Sequence, residues 1–145
     1  MTLVASGRVV RDRAGLEVIV ERRLALPAAD VWVWLTAPAR TKRWTAATLV
    51  PVEAGARVEA LGDDWHGMIS LAALDHGTVL YAKERVDTAR AAGDAGPRWE
   101  HALDRLGAAI DRSSAPAPHA QYRAVLRPVY ERLAMDGDPV AWPPS

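Results

Sequence analysis

A change of period along the chain does most to restrict its fold. In GRVVRDRAGLEVIVERRLAL, the residues Leu16, Val18, Val20, Arg22, Leu24 and Leu26 share one face of an extended chain by the period of two. Much later, Trp99, Leu103, Leu106 and Ile110 recur at helical spacing, and this is the one long amphipathic helix the sequence offers. A strand face followed by short β-compatible runs and then one long helix is an α+β order. It predicts a helix lying across one face of an antiparallel sheet. Such a sheet can curl around the helix and leave a cavity suited to a small apolar ligand.

The runs on either side of the turn signal RAG predict an opening hairpin, which Pro27 ends. Asp30 sits in the first turn of a short helix, where a carboxylate favours the positive helix end; that helix stops near Pro38, and residues 39–44 form a second. ATLVPVEAGARVEAL supplies two brief strands about EAG. DDWHGMISLAALD and HGTVLYAKERVD supply two more, joined near Asp75, His76 and Gly77. DTARAAGDAG reads as a polar loop, with Pro97 opening the long helix that runs to about Arg112. SSAPAPHA reads as a linker, AQYRAVLRPVYERLA as a further helix kinked at Pro128, and DGDPVAWPPS as a tail. Residues 1–112 are thus expected to form one domain, with the linker, additional helix and tail of 113–145 packed on it.

Composition narrows the function classes. At 145 residues the chain is long enough to bury a core without staples. No apolar run approaches the roughly 18 residues of a membrane span, and MTLVASGRVVRDR lacks the apolar centre of a signal peptide, so a cytoplasmic protein with no membrane partner is expected. The absence of cysteine excludes disulfides, a thiol nucleophile and thiolate metal sites. A net charge of zero argues against nucleic acid held by a general basic field. Only Lys42 and Lys83 of the eighteen basic residues are lysines; with the abundant alanine, this reads as codon usage in a GC-rich, bacterial genome.

The succession ERRLALPAADVWVWLTAPARTKRW, then HGT opening a strand, then AGPRWEHALDRLGAAI, resembles the START-like SRPBCC superfamily, specifically the homologues of the heat-shock-protein-90 ATPase activator, the AHSA-type domains. Arg22, Pro27, Val31, Trp32, Leu35, Thr36, Pro38 and Trp44 carry it first, then Gly77 and Thr78, then Trp99, Leu103 and Leu106. The resemblance implies a helix-grip fold, a seven-stranded antiparallel sheet around a long C-terminal helix with a hydrophobic tunnel between. Between Trp44 and Gly77, where members fit about four strands, this chain has room for about three at typical strand lengths. One or two strands are therefore expected to be missing, which exposes an edge or requires a cover; a homodimer through such edges is one expectation.

The resemblance also sorts the tryptophans. Trp32 and Trp44 match its core positions, and because positions two apart on a helix point about 200° away from each other, Trp34 cannot face the same core as Trp32. Trp34 is then expected under the C-terminal segment around Tyr122 and Tyr130, or at a dimer interface.

Among candidate chemistry, Arg22 lies on the inward face of the second strand, and Glu84 shares a face with Leu80, Ala82 and Val86 in the strand the resemblance places beside it. As cross-strand neighbours they read either as polar anchors and tentative catalytic residues of a cavity or as a structural ion pair. The ligand-binding lining is expected from Val20, Leu24, Trp32, Trp65, Leu80, Ala82, Trp99 and Leu103. Asp63, Asp64, His66, Asp75 and His76 fit loop and turn residues better than metal ligands, His101 fits a helix-surface histidine, and Ser70 belongs to no recognised triad. No cofactor or metal is expected. The leading functional reading is a protein that binds a hydrophobic or amphipathic small molecule. The alternatives implied by the resemblance are a polyketide cyclase/aromatase-like enzyme using Glu84 and Arg22, and a co-chaperone-like protein-interaction module.

Overall fold

The computed structural model describes residues 3–136, so all but the first residue of the predicted tail DGDPVAWPPS lies outside the described residues. The opening hairpin forms as expected from β1 (Arg8–Asp12) and β2 (Gly15–Leu24), with Arg8 opposite Ile19 and Asp12 opposite Gly15. Gly15 takes the turn at φ 125°, a region that disfavours any side chain. Helices α1 (Ala28–Thr36) and α2 (Pro38–Thr41) follow, with Pro38 at the start of the second. Next come β3 (Thr48–Glu53), β4 (Arg57–Leu61), β5 (His66–Leu74) and β6 (Gly77–Val86), then the long helix α3 (Ala89–Asp111) and finally α4 (His119–Asp136). The strands form one antiparallel sheet in the order β1-β2-β6-β5-β4-β3, so the fold is α+β of the helix-grip kind. Among the described residues six strands stand where the resemblance implies seven, with three between Trp44 and Gly77. Among the described residues, no helix is long and apolar enough to cross a membrane.

Contacts divide the chain into two compact units. The first comprises the described residues up to Val20, Lys83–His101 and those from Ala117 onward. Its core joins Val9, Leu16, Val18 and Val20 of the hairpin, Ala92, Ala95 and Trp99 of α3, and Tyr122, Leu126, Tyr130 and Ala134 of α4. The last four recur every four residues, which is why α4 presents one continuous apolar stripe.

In this unit the helix α3 corrects the sequence reading. It begins eight residues before Pro97, and DTARAAGDAG is mostly helix. Thr88 caps it, its hydroxyl oxygen accepting from Ala91 N–H at 3.0 Å. Two interior glycines at about 1 kcal/mol each and an interior proline at about 3 make this stretch about 5 kcal/mol poorer than an alanine helix. Packing offsets the deficit. A Cβ on Gly96 would collide with the Tyr130 ring, and one on Gly93 with the side chains of Glu131 and Arg127, so the glycines let α4 lie close against α3.

The second unit comprises Glu21–Ala82 and Ala102–Pro116. Its buried residues include Val31, Trp34, Leu35, Trp44, Val58, Ile69, Leu80, Leu103 and Leu106, and α1 packs against α2, β3 and β5. Gly77, at φ 137°, opens β6 where a Cβ would press on the Leu24 carbonyl oxygen, so both conformation and clearance require glycine. Beside it, the fully buried Thr78 donates its hydroxyl to Leu26 O at 2.6 Å.

The tryptophan assignment is reversed. Trp34 is buried at 6 % exposure, while Trp32 is only half-buried. Within its unit the neighbours of Trp34 belong to α2 and the turn after it. Its carbonyl accepts from the Trp44 indole at 3.0 Å and from the Thr41 hydroxyl at 3.2 Å. The guanidinium groups of Arg40 and Arg43 lie over its ring at 5.0 and 5.4 Å.

Candidate functional site

Alternation along β6 turns Leu80, Ala82 and Glu84 to one face, and Glu84, which belongs to the first unit, ends up 5 % exposed. A buried carboxylate is stable only when paired and hydrogen-bonded. Arg98 does this from α3, its Nη1 and Nη2 at 2.7 and 3.2 Å from the two carboxylate oxygens, and the Trp99 indole adds a bond at 2.9 Å. The consecutive pair Arg98 and Trp99 thus holds Glu84, and both of its oxygens are occupied.

Arg22, in the second unit, has a separate partner. Its Nε donates to Asp104 Oδ1 at 3.0 Å, and its Nη1 donates to Glu21 O at 2.9 Å. The expected Arg22 and Glu84 pair is therefore corrected to two pairs, each with a residue of α3. The Arg22 and Asp104 side chains stay 20 % and 36 % exposed, unlike Glu84.

The remaining predicted lining divides between the units. Val20 and Trp99 are buried in the first; Leu24, Leu80, Ala82 and Leu103 are buried in the second. Trp32 and Trp65 remain half-buried in the second unit. The Trp65 indole lies over Gly62, where a Cβ would collide with it, and Gly62 N–H donates to Trp65 O at 2.9 Å. His66 Nε2 stands 3.6 Å from Glu59 Oε1, a partner the sequence reading did not name. Among the described residues, no group of three or more histidine, cysteine or acidic side chains converges as a metal site would.

Two groupings in the first unit were not anticipated. Glu100, 1 % exposed, accepts from Ser6 N–H at 2.8 Å, from the Ser6 hydroxyl and from Tyr130 O–H at 2.6 Å, while the Tyr130 oxygen accepts from Gly7 N–H at 3.0 Å. His101, expected on the helix surface, meets the Tyr122 ring edge-on at 5.0 Å and the His119 ring at 5.6 Å. Burial, followed by the nearby charges of Arg123 and Arg98, lowers the His119 pKa below the ordinary imidazole value. No spacing rule marks Glu100 or Asp104, because Ser6 and Arg22 lie 94 and 82 residues from them.

The sheet order and the long helix define an SRPBCC/AHSA-type fold, and comparison with solved structures agrees. The chain is similar to CalU16 from Micromonospora echinospora at 19% identity and a TM-score of 0.69, over 92% of this chain and 99% of that one. It is similar to an AHSA1-like protein from Rhizobium etli at 22% identity and a TM-score of 0.56, over 70% and 86% of the two chains. DynU16, a putative protein in the dynemicin biosynthetic locus, matches at 16% identity and a TM-score of 0.56, over 66% of this chain and 47% of that one. Identities this low speak for the fold alone. No family model matches the sequence, and no curated protein matches it either.

Proposed function

We propose that the protein binds an apolar or amphipathic small molecule on its second unit, with Arg22 as the polar anchor and the half-buried indoles of Trp32 and Trp65 as apolar contacts. The observation that carries this reading is the Arg22 and Asp104 ion pair. It sits on a strand face otherwise lined by apolar residues, yet remains 20 % and 36 % exposed, so a ligand can reach it. The two tryptophans, left partly wet beside a core that fully buries Trp44, offer surface whose burial by a ligand is favourable by roughly 25 cal/mol per Å². Likeness to CalU16 and DynU16 supports the fold needed, not a reaction.

Cyclase-like chemistry built on Glu84 draws less support, because Arg98 and Trp99 already occupy both of its oxygens. Native mass spectrometry of freshly purified protein tests the binding reading first. A mass increment that vanishes on denaturation supports it. Titration with the uncharged probe N-phenyl-1-naphthylamine follows, and saturable fluorescence weakened by Trp32→Ala is expected. An unliganded mass together with no saturable probe binding would sink the proposal.

A further inference from the structure

We propose a second binding site, independent of the one above, for a small, multiply charged oxyanion of the phosphate-ester kind. It is the cleft at the C-terminal end of α3, wholly within the second unit. The cleft is wide open to solvent, offers about 390 Å³ and is lined by Arg43, Arg105, Arg112 and Ser113, with Ala108, Ala109, Ala115 and Pro116 forming its apolar part. That volume is in the range of small-molecule sites, roughly 300–1,000 Å³.

Three arginines line this cleft, and among the described residues none of them meets a carboxylate. Elsewhere in the chain Arg22, Arg57, Arg85, Arg98 and Arg127 each do. In a chain with eighteen basic and eighteen acidic residues, such an unbalanced cluster is a local choice and not a result of net charge. The cluster is also partly organised. Arg105 Nη2 donates to Arg43 O at 3.1 Å, and Arg43 is held over the Trp34 ring. Guanidinium forks match phosphate oxygens two at a time and keep their charge at any working pH, so the arrangement suits a dianion better than a single carboxylate.

The backbone supplies a second argument. Helix α3 ends with Ser113 N–H bonded to Ala108 O at 3.0 Å, which makes Arg112 the residue in the left-handed position just past the helix, at φ 55°. Glycine is the usual occupant there, and an arginine costs on the order of 1 kcal/mol more. A charged side chain held at a strained position, beside two others of like charge, is better accounted for by a ligand than by stability. The opposing explanation is that the arginines neutralise the negative end of α3. That end carries only about half an elementary charge, which one cation satisfies and three overshoot.

The test is an NMR titration of the full ¹⁵N-labelled chain with inorganic pyrophosphate at low ionic strength and without magnesium. Saturable shifts confined to residues 43–44 and 105–116 are expected. Arg105→Ala should weaken binding by about tenfold or more, the loss of a charge-assisted bond. Arg112→Gly should weaken it similarly while leaving the melting temperature equal or higher, since glycine relieves the left-handed strain. That pairing of lost affinity with retained stability separates a binding role from a structural one. Shifts scattered over arginines throughout the chain, or unchanged affinity in both variants, would overturn the site. Association with vesicles containing phosphatidic acid but no response to pyrophosphate would overturn its assignment to a soluble ligand.

Discussion

The two units satisfy their buried polar groups by opposite means. The first buries two carboxylates, Glu84 and Glu100, and answers them with side chains: Arg98, Trp99, Ser6 and Tyr130. Those donors come from several elements, Ser6 and Tyr130 lying 94 and 30 residues from Glu100. The second unit holds neutral donors, Trp44 and Thr78 buried and Thr41 half-buried, and answers them with backbone carbonyls. Trp44 and Thr41 bond the Trp34 carbonyl only 10 and 7 residues away, and Thr78 bonds that of Leu26. A backbone acceptor is placed by its own element, whereas a buried carboxylate has its donors only when every contributing element is in place. Polar interactions in the first unit should therefore be worth more individually and fail more completely when one partner is removed.

The largest expected effect is Tyr130→Ala. It removes a fully buried ring from Gly96 and the hydroxyl that bridges Glu100 and Gly7, and should cost about 3–5 kcal/mol in urea denaturation. A loss below about 1 kcal/mol would break the comparison at its strongest point.

A finer test sets two hydroxyl deletions against each other. Tyr130→Phe leaves a buried carboxylate short of a donor and should cost about 1–3 kcal/mol. Thr78→Val leaves a neutral acceptor, the carbonyl of half-buried Leu26, without its donor and should cost about 0.5–1.5 kcal/mol. Equal losses in denaturant midpoints converted with a common slope would mean that charge in the first unit adds nothing.

The smallest effect lies at the surface of the first unit, where Arg85 grips Asp12 with two bonds of 3.0 and 2.6 Å. This hydrogen bonding lowers the Asp12 pKa from 3.8 to about 2. The folded value lies below the unfolded one, so the stabilisation is present above pH 3.8 and fades as pH falls from there through about 2. The difference in urea midpoint between the parent and Asp12→Asn should shrink over that window and with added salt. A difference that persists unchanged below pH 2 would assign the contribution to something other than the ion pair.

Legibility followed the range of the interactions concerned. The hairpins β1-β2, β3-β4 and β5-β6 could be read because alternation and turn glycines are local, and Gly15 and Gly77 stand where the turns need them. The start of α3 could not, although Thr88 is a proper cap. Its Ala92, Gly93, Ala95 and Gly96 face carries almost no hydrophobic signal until Tyr130 packs on it. The candidate site was half legible. Arg22 and Glu84 were singled out on their apolar strand faces, but their partners Asp104 and Arg98 depend on how α3 lies against each strand.

By itself, then, the sequence determined the α+β order and the strand faces, since a period of two leaves a strand only one way to bury its apolar side. It could not determine which tryptophan α1 buries. With Val31 and Leu35 inward, Trp32 and Trp34 lie about 80° to either side of that direction at 100° per residue, so the pattern is symmetric. Only the tertiary structure breaks the tie. α2 and Trp44 lie on the Trp34 side, where one carbonyl can serve both Trp44 and Thr41, and the ring receives Arg40 and Arg43. The same holds for the arginine cleft: Arg43 and Arg105 are 62 residues apart, and no local rule brings them together.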